Sequence, residues 1–505
     1  MNERIHVWRD TYGAYEHVGL IEAAEDHATF RYDRSYNGPA ISVRLPVGVK
    51  PFSERDTEIF FSALVPEGQT RIDFLDALRA GRSEYSPLLE RLNDESSGGL
   101  VFSVTETIPG DGRAYTPLDP NTLEMLAQTP EPVAMDVVGK TRLSLAGAMA
   151  KVGLYRDDMT NEWLLPKGTA PSTHIVKAGN NEVFPYEILN EALCLELARL
   201  CDLPVEEFEL VGTDAGPLLA VRRFDRPIPE GPLLTDGHVL PMRLHQEDLC
   251  QAGGTKLKYE PTGANYLRFA VSTASRSCKN HFGNAMMVLY YTAFSYLVGN
   301  CDNHLKNISL LYGADWADRE VAPLYDVLDT TIYGRLKDTM GISLTPSRSI
   351  FGVRSEDVES SVTEAGLPTD IALQEFSSLA DEALNKFDEA VNNVVGRGFP
   401  EVERIAGIMK RGMRLCPLGF DSPRRPRTRK SLPLGEASLT WSQRWESPRC
   451  LRQRSWASGF ALGPPGATGA WRPHGFDSPR RPRTRKSLPL GEASLTWSQR
   501  WESNP

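Results

Sequence analysis

The chain has 505 residues, 41% of them apolar and 24% charged, a balance that excludes a wholly disordered polymer and suffices for two or three packed units. Residues 417–505 carry 16 Lys and Arg against 6 Asp and Glu, whereas residues 1–416 carry 40 against 60, so the body is acidic and a poor general binder of nucleic acid. The seven cysteines, Cys301 among them, form no C-x-x-C pair and stand near no His cluster at metal spacing, so they read as reduced, packed thiols.

The opening residues, MNERIHVWRD, are charged and no apolar run follows, so neither a secretory nor a transit signal is visible and a cytoplasmic protein is expected. HATFRYD and AISVRLP alternate as half-buried strands do, while TEIFFSALVP, IDFLDALRAG and SPLLERLND place apolar residues at helical spacing. A glycine pair, Gly98 and Gly99, leads into the strand-like LVFSV; these pieces make a first unit over residues 1–107. Residues 108–131, rich in Pro and Gly, read as a connector. A strand-rich unit follows to about residue 235, with RLSLAG, KVGLYRD, NEWLLPK and THIVKAG, the helix YEILNEALCLELARLC, then FELVG and LLAVRRFD. Helices dominate residues 236–416, where NAMMVLYYTAFSYLVGN and the long pattern from Thr369 are the plainest. The longest mostly apolar stretch, residues 285–299, falls short of the ~20 residues a bilayer requires and reads as a buried helix, so no membrane association is expected. The pattern is α+β and bilobal, and ligand clefts favour such junctions.

Residues 417–505 differ in kind. A 29-residue segment, GFDSPRRPRTRKSLPLGEASLTWSQRWES, occurs at 419–447 and again, letter for letter, at 475–503. It lacks the degenerate apolar core of a stacked repeat and is expected to be disordered. It reads as translated repetitive DNA brought in by a frameshift or readthrough; the other reading is a basic arm that touches nucleic acid.

The sharpest chemical signal is NCDNHLKNISLL, which follows the long apolar helix and so sets a polar loop on a rigid element. Asp302 and Asn307 stand five apart, the D-x-x-x-x-N spacing of kinase catalytic loops: a carboxylate to accept a hydroxyl proton and an amide oxygen to hold Mg²⁺. By itself this spacing arises by chance, and an Asx-turn loop explains it equally well. Asp326 lies about two strands further on, between apolar residues, where an unpaired carboxylate is costly and a metal-binding role competes with helix capping. Lys177 ends the strand THIVKAG and precedes a helix bearing Glu187 and Glu191, as in the device in which a helix Glu, here expected to be Glu191, holds a phosphate-binding Lys. SLAGAMAK offers a glycine turn before Lys151 but matches no general phosphate-loop motif.

The order SLAGAMAK, THIVK, VRRFDR, RLHQEDLCQ, LKYE, NCDNHLKN and LYDV resembles the HipA-like kinases of toxin–antitoxin pairs, as do FFSALVPEG, LLERL and GGLVF in the first unit; the likeness ends near residue 416. The resemblance implies a protein-kinase-like fold with a small N-terminal α/β subdomain, a strand-rich N-lobe, a helical C-lobe and ATP between the lobes. It implies Asp302 as proton acceptor and Asn307 with Asp326 as Mg²⁺ ligands. His304, Leu305 and Lys306 would line the catalytic loop, and Ala146, Gly147, Ala148, Met149, Ala150 and Lys151 the phosphate loop. Lys177 would be the strand lysine, Arg222, Arg223 and Phe224 the hinge, and Tyr325 a neighbour of the nucleotide. Ser144 matches a serine whose autophosphorylation disables such kinases, and Gln246 falls in the HQED-like block. Met149 and Ala150 depart from the Gln and Glu common in the family, which puts ATP handling by this loop in question. The implied partners are a protein substrate of the translation machinery and a small helix-turn-helix antitoxin through which alone DNA would be met. A kinase-shaped corepressor and a small-molecule phosphotransferase are the rival functions.

Overall fold

A computed structural model describes residues 3–24, 27–66, 96–107, 112–141, 149–181, 183–334 and 336–414, with isolated positions between 71 and 89, all within one compact unit. The repeat-bearing segment, most of IDFLDALRAG and SPLLERLND, Ser144 and the phosphate-loop residues Ala146, Gly147 and Ala148 lie outside the described residues.

The chain opens with an antiparallel sheet of strands β1 (Glu3–Asp10), β2 (Tyr15–Ala24), β3 (His27–Tyr32) and β4 (Leu100–Ser103) in the order β3-β2-β1-β4. Helix α1 (Glu54–Ser62) starts at Ser53, whose side chain accepts from the Asp56 amide, and lays Phe61 against Phe30. AISVRLP is a turn with one bridge, Ser42 to Leu45, and not the expected strand. Its alternation is real, since Ile41 and Leu45 are buried, but the Ser42 hydroxyl and the Val43 amide bond the Glu247 carboxylate at 2.6 and 2.9 Å.

The next sheet has six strands: β5 (Ala114–Pro117), β6 (Ala150–Arg156), β7 (Trp163–Lys167), β8 (His174–Ala178), β9 (Phe208–Gly212) and β10 (Pro217–Arg222), in the order β5-β7-β6-β8-β10-β9. The expected connector thus supplies an edge strand, with Pro117 at its end where a missing amide costs little, and helix α2 (Asn121–Gln128). Helix α3 (Pro130–Thr141) follows, and Leu126, Val133 and Val137 pack on Val152, Val176 and Leu218 of the sheet. Helix α4 (Glu187–Leu200) is buried along nearly its whole length.

Beyond a two-residue hairpin, β11 (Leu234–Thr235) with β12 (His238–Val239), lies the helical part. Its helices are α5 (Leu249–Gly253), α6 (Tyr266–Ser277), α7 (His281–Val298), α8 (Ser355–Glu364), α9 (Thr369–Gly396) and α10 (Glu403–Arg414). A three-stranded sheet, β13 (Gln246–Asp248), β14 (Ser309–Tyr312) and β15 (Arg319–Val321), sits among them. The apolar stretch at 285–299 is the buried helix α7 and its glycine cap, and no helix among the described residues is long and apolar enough to cross a membrane.

Candidate active site

Five segments of the chain supply the candidate residues. Strand β8 carries Lys177 and pairs antiparallel with β6 so that Lys177 lies opposite Lys151. Directly opposed side chains share a face, so two ammonium groups meet there and need compensating carboxylates. Lys177 Nζ lies 2.5 Å from Glu191 Oε1 on α4 and 3.3 Å from Asp326 Oδ1. Of the two helix carboxylates, Glu191 is therefore the one that reaches the lysine, while Glu187 accepts from the Asn180 amide. Burial would strip the Lys177 ammonium of its proton, but Glu191 and Asp326 outweigh it and hold the pKa above the ordinary lysine value. Lys151 makes no ion pair within 4.0 Å among the described residues, and burial lowers its pKa despite Asp326.

Asp326 follows β15 and adopts φ +55°, a left-handed backbone that Asp tolerates better than bulkier residues. Neighbours on both sides pin it. Leu324 forms a parallel bridge with Val205, and the amide side chain of Asn190 on α4 bonds both the N–H and the C=O of Asp329 at 2.8 Å. Burial would raise the Asp326 pKa, yet the Lys177 and Lys151 ammonium groups, with His304, bring it down to about 2, so it is a carboxylate at neutral pH.

The catalytic-loop candidates follow α7, which ends at Gly299 with φ +85°; a Cβ there would strike the Asp329 carboxylate. The loop does contain an Asx turn, but Asn300 makes it, accepting from the Asp302 amide at 2.9 Å. The Asp302 carboxylate instead accepts from the Tyr259 hydroxyl at 2.6 Å, with His304 Nε2 3.9 Å from the same oxygen. Asn307 donates its amide nitrogen to the Asp302 carbonyl at 3.0 Å, which leaves the amide oxygen as the acceptor. Leu305 is buried, and its amide bonds the Lys258 carbonyl at 3.1 Å. The Tyr325 hydroxyl bridges Ser309 and the Lys306 carbonyl, and its ring leans on Phe224 with centroids 5.8 Å apart. Cys301 is a buried thiol pushed up to about 11 by burial, in keeping with a packing role.

The hinge candidates divide. Phe224 faces Tyr325, whereas Arg222 is held bidentate by Asp158 at 3.0 Å. Arg223 turns into a buried cluster with Asp225, Arg226 and Ser96. Burial alone would raise the Asp225 pKa, but these two guanidinium groups hold it far below the usual carboxylate range. Gln246 joins the cluster at 3.0 Å from Asp225, and the rest of the HQED block braces the N-terminal subdomain. His245 bonds the Ile41 carbonyl, Glu247 holds Ser42 and Val43, and Asp248 caps α5.

Sequence reasoning missed three residues. Glu206 is 6% exposed, has one oxygen without a hydrogen-bond partner among the described residues, and is pushed up to about 8 by burial against the pull of Lys177. In LPVEEFEL it reads as an ordinary surface acid. Asn190 adjoins Glu191 but gives no signal on its own. Tyr259 lies in LKYE, a block noted for its likeness without a role.

Two family models match: HipA N-terminal domain over residues 10–103 and HipA-like C-terminal domain over residues 143–393. A relative from Sinorhizobium fredii named "Putative kinase Y4mE" is 30% identical over 349 residues, 68% of this chain and 80% of its own. The serine/threonine-protein kinase toxin HipA of Shewanella oneidensis is 25% identical over 380 residues, covering 71% of this chain and 83% of the toxin. The solved complex of S. oneidensis HipA and HipB with operator DNA has a chain similar to this one, with TM-score 0.67 at 20% identity, over 82% of this chain and 96% of that one. That likeness shows a shared fold, α+β and kinase-like. With both domains matched and a 30%-identical relative spanned over 80% of its length, the chain belongs to the HipA-like kinase family.

Proposed function

We propose that the protein is an ATP-dependent serine/threonine kinase that transfers the γ-phosphoryl group to a hydroxyl of another protein. The observation that carries this reading is the buried cluster in which Lys177 meets Glu191 at 2.5 Å and Asp326 at 3.3 Å, joined to the catalytic loop where Tyr325, next to Asp326, bonds the Lys306 carbonyl. An ionised Asp326 and the amide oxygen of Asn307 suit Mg²⁺, a hard cation that accepts one or two protein oxygens and completes its shell with phosphate and water. When bound, ATP with Mg²⁺ supplies the transferable phosphoryl group and offsets the charge on its oxygens. Asp302 accepts the acceptor hydroxyl's proton as the oxygen attacks. Lys177 and Lys151 present positive charge to the phosphates, with Glu191 fixing the direction of Lys177. Phe224 and Tyr325 frame an apolar seat for a flat base.

Ser144 is the proposed site of self-modification: a phosphate there brings nearly two negative charges to the segment leading to Lys151, opposing ATP. A small helix-turn-helix antitoxin is the proposed partner, supported by the HipB-bound neighbour and by the acidic residues 1–416, which suit a basic surface. Incubation with labelled ATP and cell extract tests the activity: wild type labels protein, and Asp302→Ala loses at least about 100-fold. Equal labelling by both sinks the proposal, and label confined to small molecules turns it toward a metabolite kinase. A phosphoproteome taken after brief expression of each form names the acceptor.

A further inference from the structure

Glu206 is buried, yet its Oε1 has no hydrogen-bond partner among the described residues, a cost that a bound ligand removes. Two strand registers place its side chain. Lys151, Lys177, Leu219 and Leu210 stand opposite one another in β6, β8, β10 and β9, and directly opposed side chains share a face. Phe208, opposite Val221, keeps the face of Lys177, and Glu206, two residues before it, extends that face; Val152, Val176 and Leu218 turn the other way, toward α2 and α3. The Glu206 amide also donates to the Leu324 carbonyl at 3.1 Å, and the Leu324 amide to the Pro204 carbonyl at 2.8 Å, around the parallel bridge between Val205 and Leu324. The next step of that ladder brings Glu206 beside Tyr325, whose ring leans on Phe224. On the other flank the Arg222 amide donates to the Glu207 carbonyl at 2.7 Å, so the segment adjoins the strand end that leads to Phe224. The charges acting on Glu206 agree with this position: burial pushes it up to about 8 against the pull of Lys177, and Glu191, Asp326 and Lys151 also act on it.

We propose that Glu206 is a specificity residue for the nucleotide: its carboxyl accepts from the 6-amino group of adenine at the inner end of the seat framed by Phe224 and Tyr325, and so favours adenine over guanine. This rests on the proposed use of ATP. Adenine presents an amino donor at position 6 and an acceptor at N7, whereas guanine presents two acceptors, O6 and N7. An ionised Glu206 accepts from the amino group and repels O6. A protonated Glu206 makes two complementary bonds with adenine, its carbonyl oxygen accepting from the amino group and its hydroxyl donating to N7, but only one with guanine. Either form favours adenine, so the discrimination does not depend on where the carboxyl titrates. The side chain acts on the base and has no part in moving the phosphoryl group.

The test is calorimetric titration of the full chain, at saturating Mg²⁺, with ATP, GTP and purine riboside triphosphate, which lacks the 6-amino group. Wild type is compared with Glu206→Met, which keeps the volume and loses both oxygens, and with Glu206→Gln, which keeps an acceptor and a donor. In Glu206→Met the affinity for ATP falls roughly 5- to 20-fold, while that for purine riboside triphosphate stays within about twofold. Glu206→Gln holds ATP within about twofold of wild type. Without nucleotide, Glu206→Met melts at or above the wild-type temperature, because the acid has no partner to lose. Equal changes for ATP and the analogue, or none, overturn the proposal, and so does a lowered melting temperature with parallel loss of both, which marks a merely structural residue. Wild type that binds none of the three overturns the kinase reading itself, an outcome distinct from tight ATP binding that Glu206→Met leaves unchanged.

Discussion

Replacing Glu191 with Gln keeps volume and an acceptor oxygen but removes the charge that answers Lys177. At an effective dielectric of about 20, unit charges 2.5 Å apart attract by roughly 7 kcal/mol, and the 3.3 Å contact with Asp326 retains roughly 5 kcal/mol. These gross attractions are offset by the desolvation of both partners, and removing one member of a buried pair typically costs about 3–5 kcal/mol. Because Asp326 still faces Lys177, the lower end applies, about 3 kcal/mol, which lowers the melting temperature by several degrees. The function changes by a related route. With Glu191 neutral, the ammonium leans on Asp326 and draws on the carboxylate proposed to hold Mg²⁺, so KM for ATP rises and more Mg²⁺ is needed to restore the rate. Thermal melting and ATP-dependent labelling across a Mg²⁺ series measure the two effects. The double variant Glu191→Gln with Lys177→Met, which removes the orphaned ammonium but leaves Asp326 to Lys151 and His304, recovers part of the stability and none of the activity. A Glu191→Gln protein with unchanged melting temperature and unchanged KM for ATP would refute the reasoning, because a buried charge cannot lose its nearest partner without consequence.

Two further outcomes test how the N-terminal subdomain is fastened. Asp225→Asn leaves the guanidinium groups of Arg223 and Arg226, both nearly inaccessible to solvent, without their carboxylate, so a loss of about 3–5 kcal/mol is expected in chemical denaturation; a wild-type midpoint contradicts it. Glu247 is pushed up to about 7 by burial, against bonds from Ser42, Tyr312 and Val43. A carboxyl whose pKa is raised on folding binds its proton more tightly in the folded chain. Its contribution is complete below the ordinary carboxyl pKa and is lost as pH rises through about 7, a change of roughly 3 kcal/mol. Glu247→Gln, which mimics the protonated form, should reduce the loss of stability between pH 5 and pH 8 relative to wild type, and identical pH profiles would exclude Glu247 as a source.

The elements carrying the site were legible because their residues repeat at the period of the structure they form. THIVKAG alternates and becomes β8, and the stretch before Asn300 is apolar all round and becomes α7. AISVRLP alternates too and is a turn, because its amides and hydroxyls are claimed by Glu247, some 200 residues away, and the connector near Pro117 is a sheet edge because a partner strand lies beside it. Local pattern reports which face a residue wants buried, not what will cover it.

The sequence by itself determined the candidates: the spacing of Asp302 and Asn307, the later Asp326, a strand lysine and a helix carboxylate, whose combination resembles one family. Tertiary structure alone decided what surrounds them. It selected Glu191 over Glu187, set Lys151 beside Lys177, turned Arg223 away into a buried cluster, and put Glu206 and Tyr259 against the charged groups of the cleft. Spacing along a chain fixes which residue types share a helix face or strand. Burial, charge and hydrogen-bond competition depend on what packs against that face, and those neighbours come from distant segments that only the closed fold brings together.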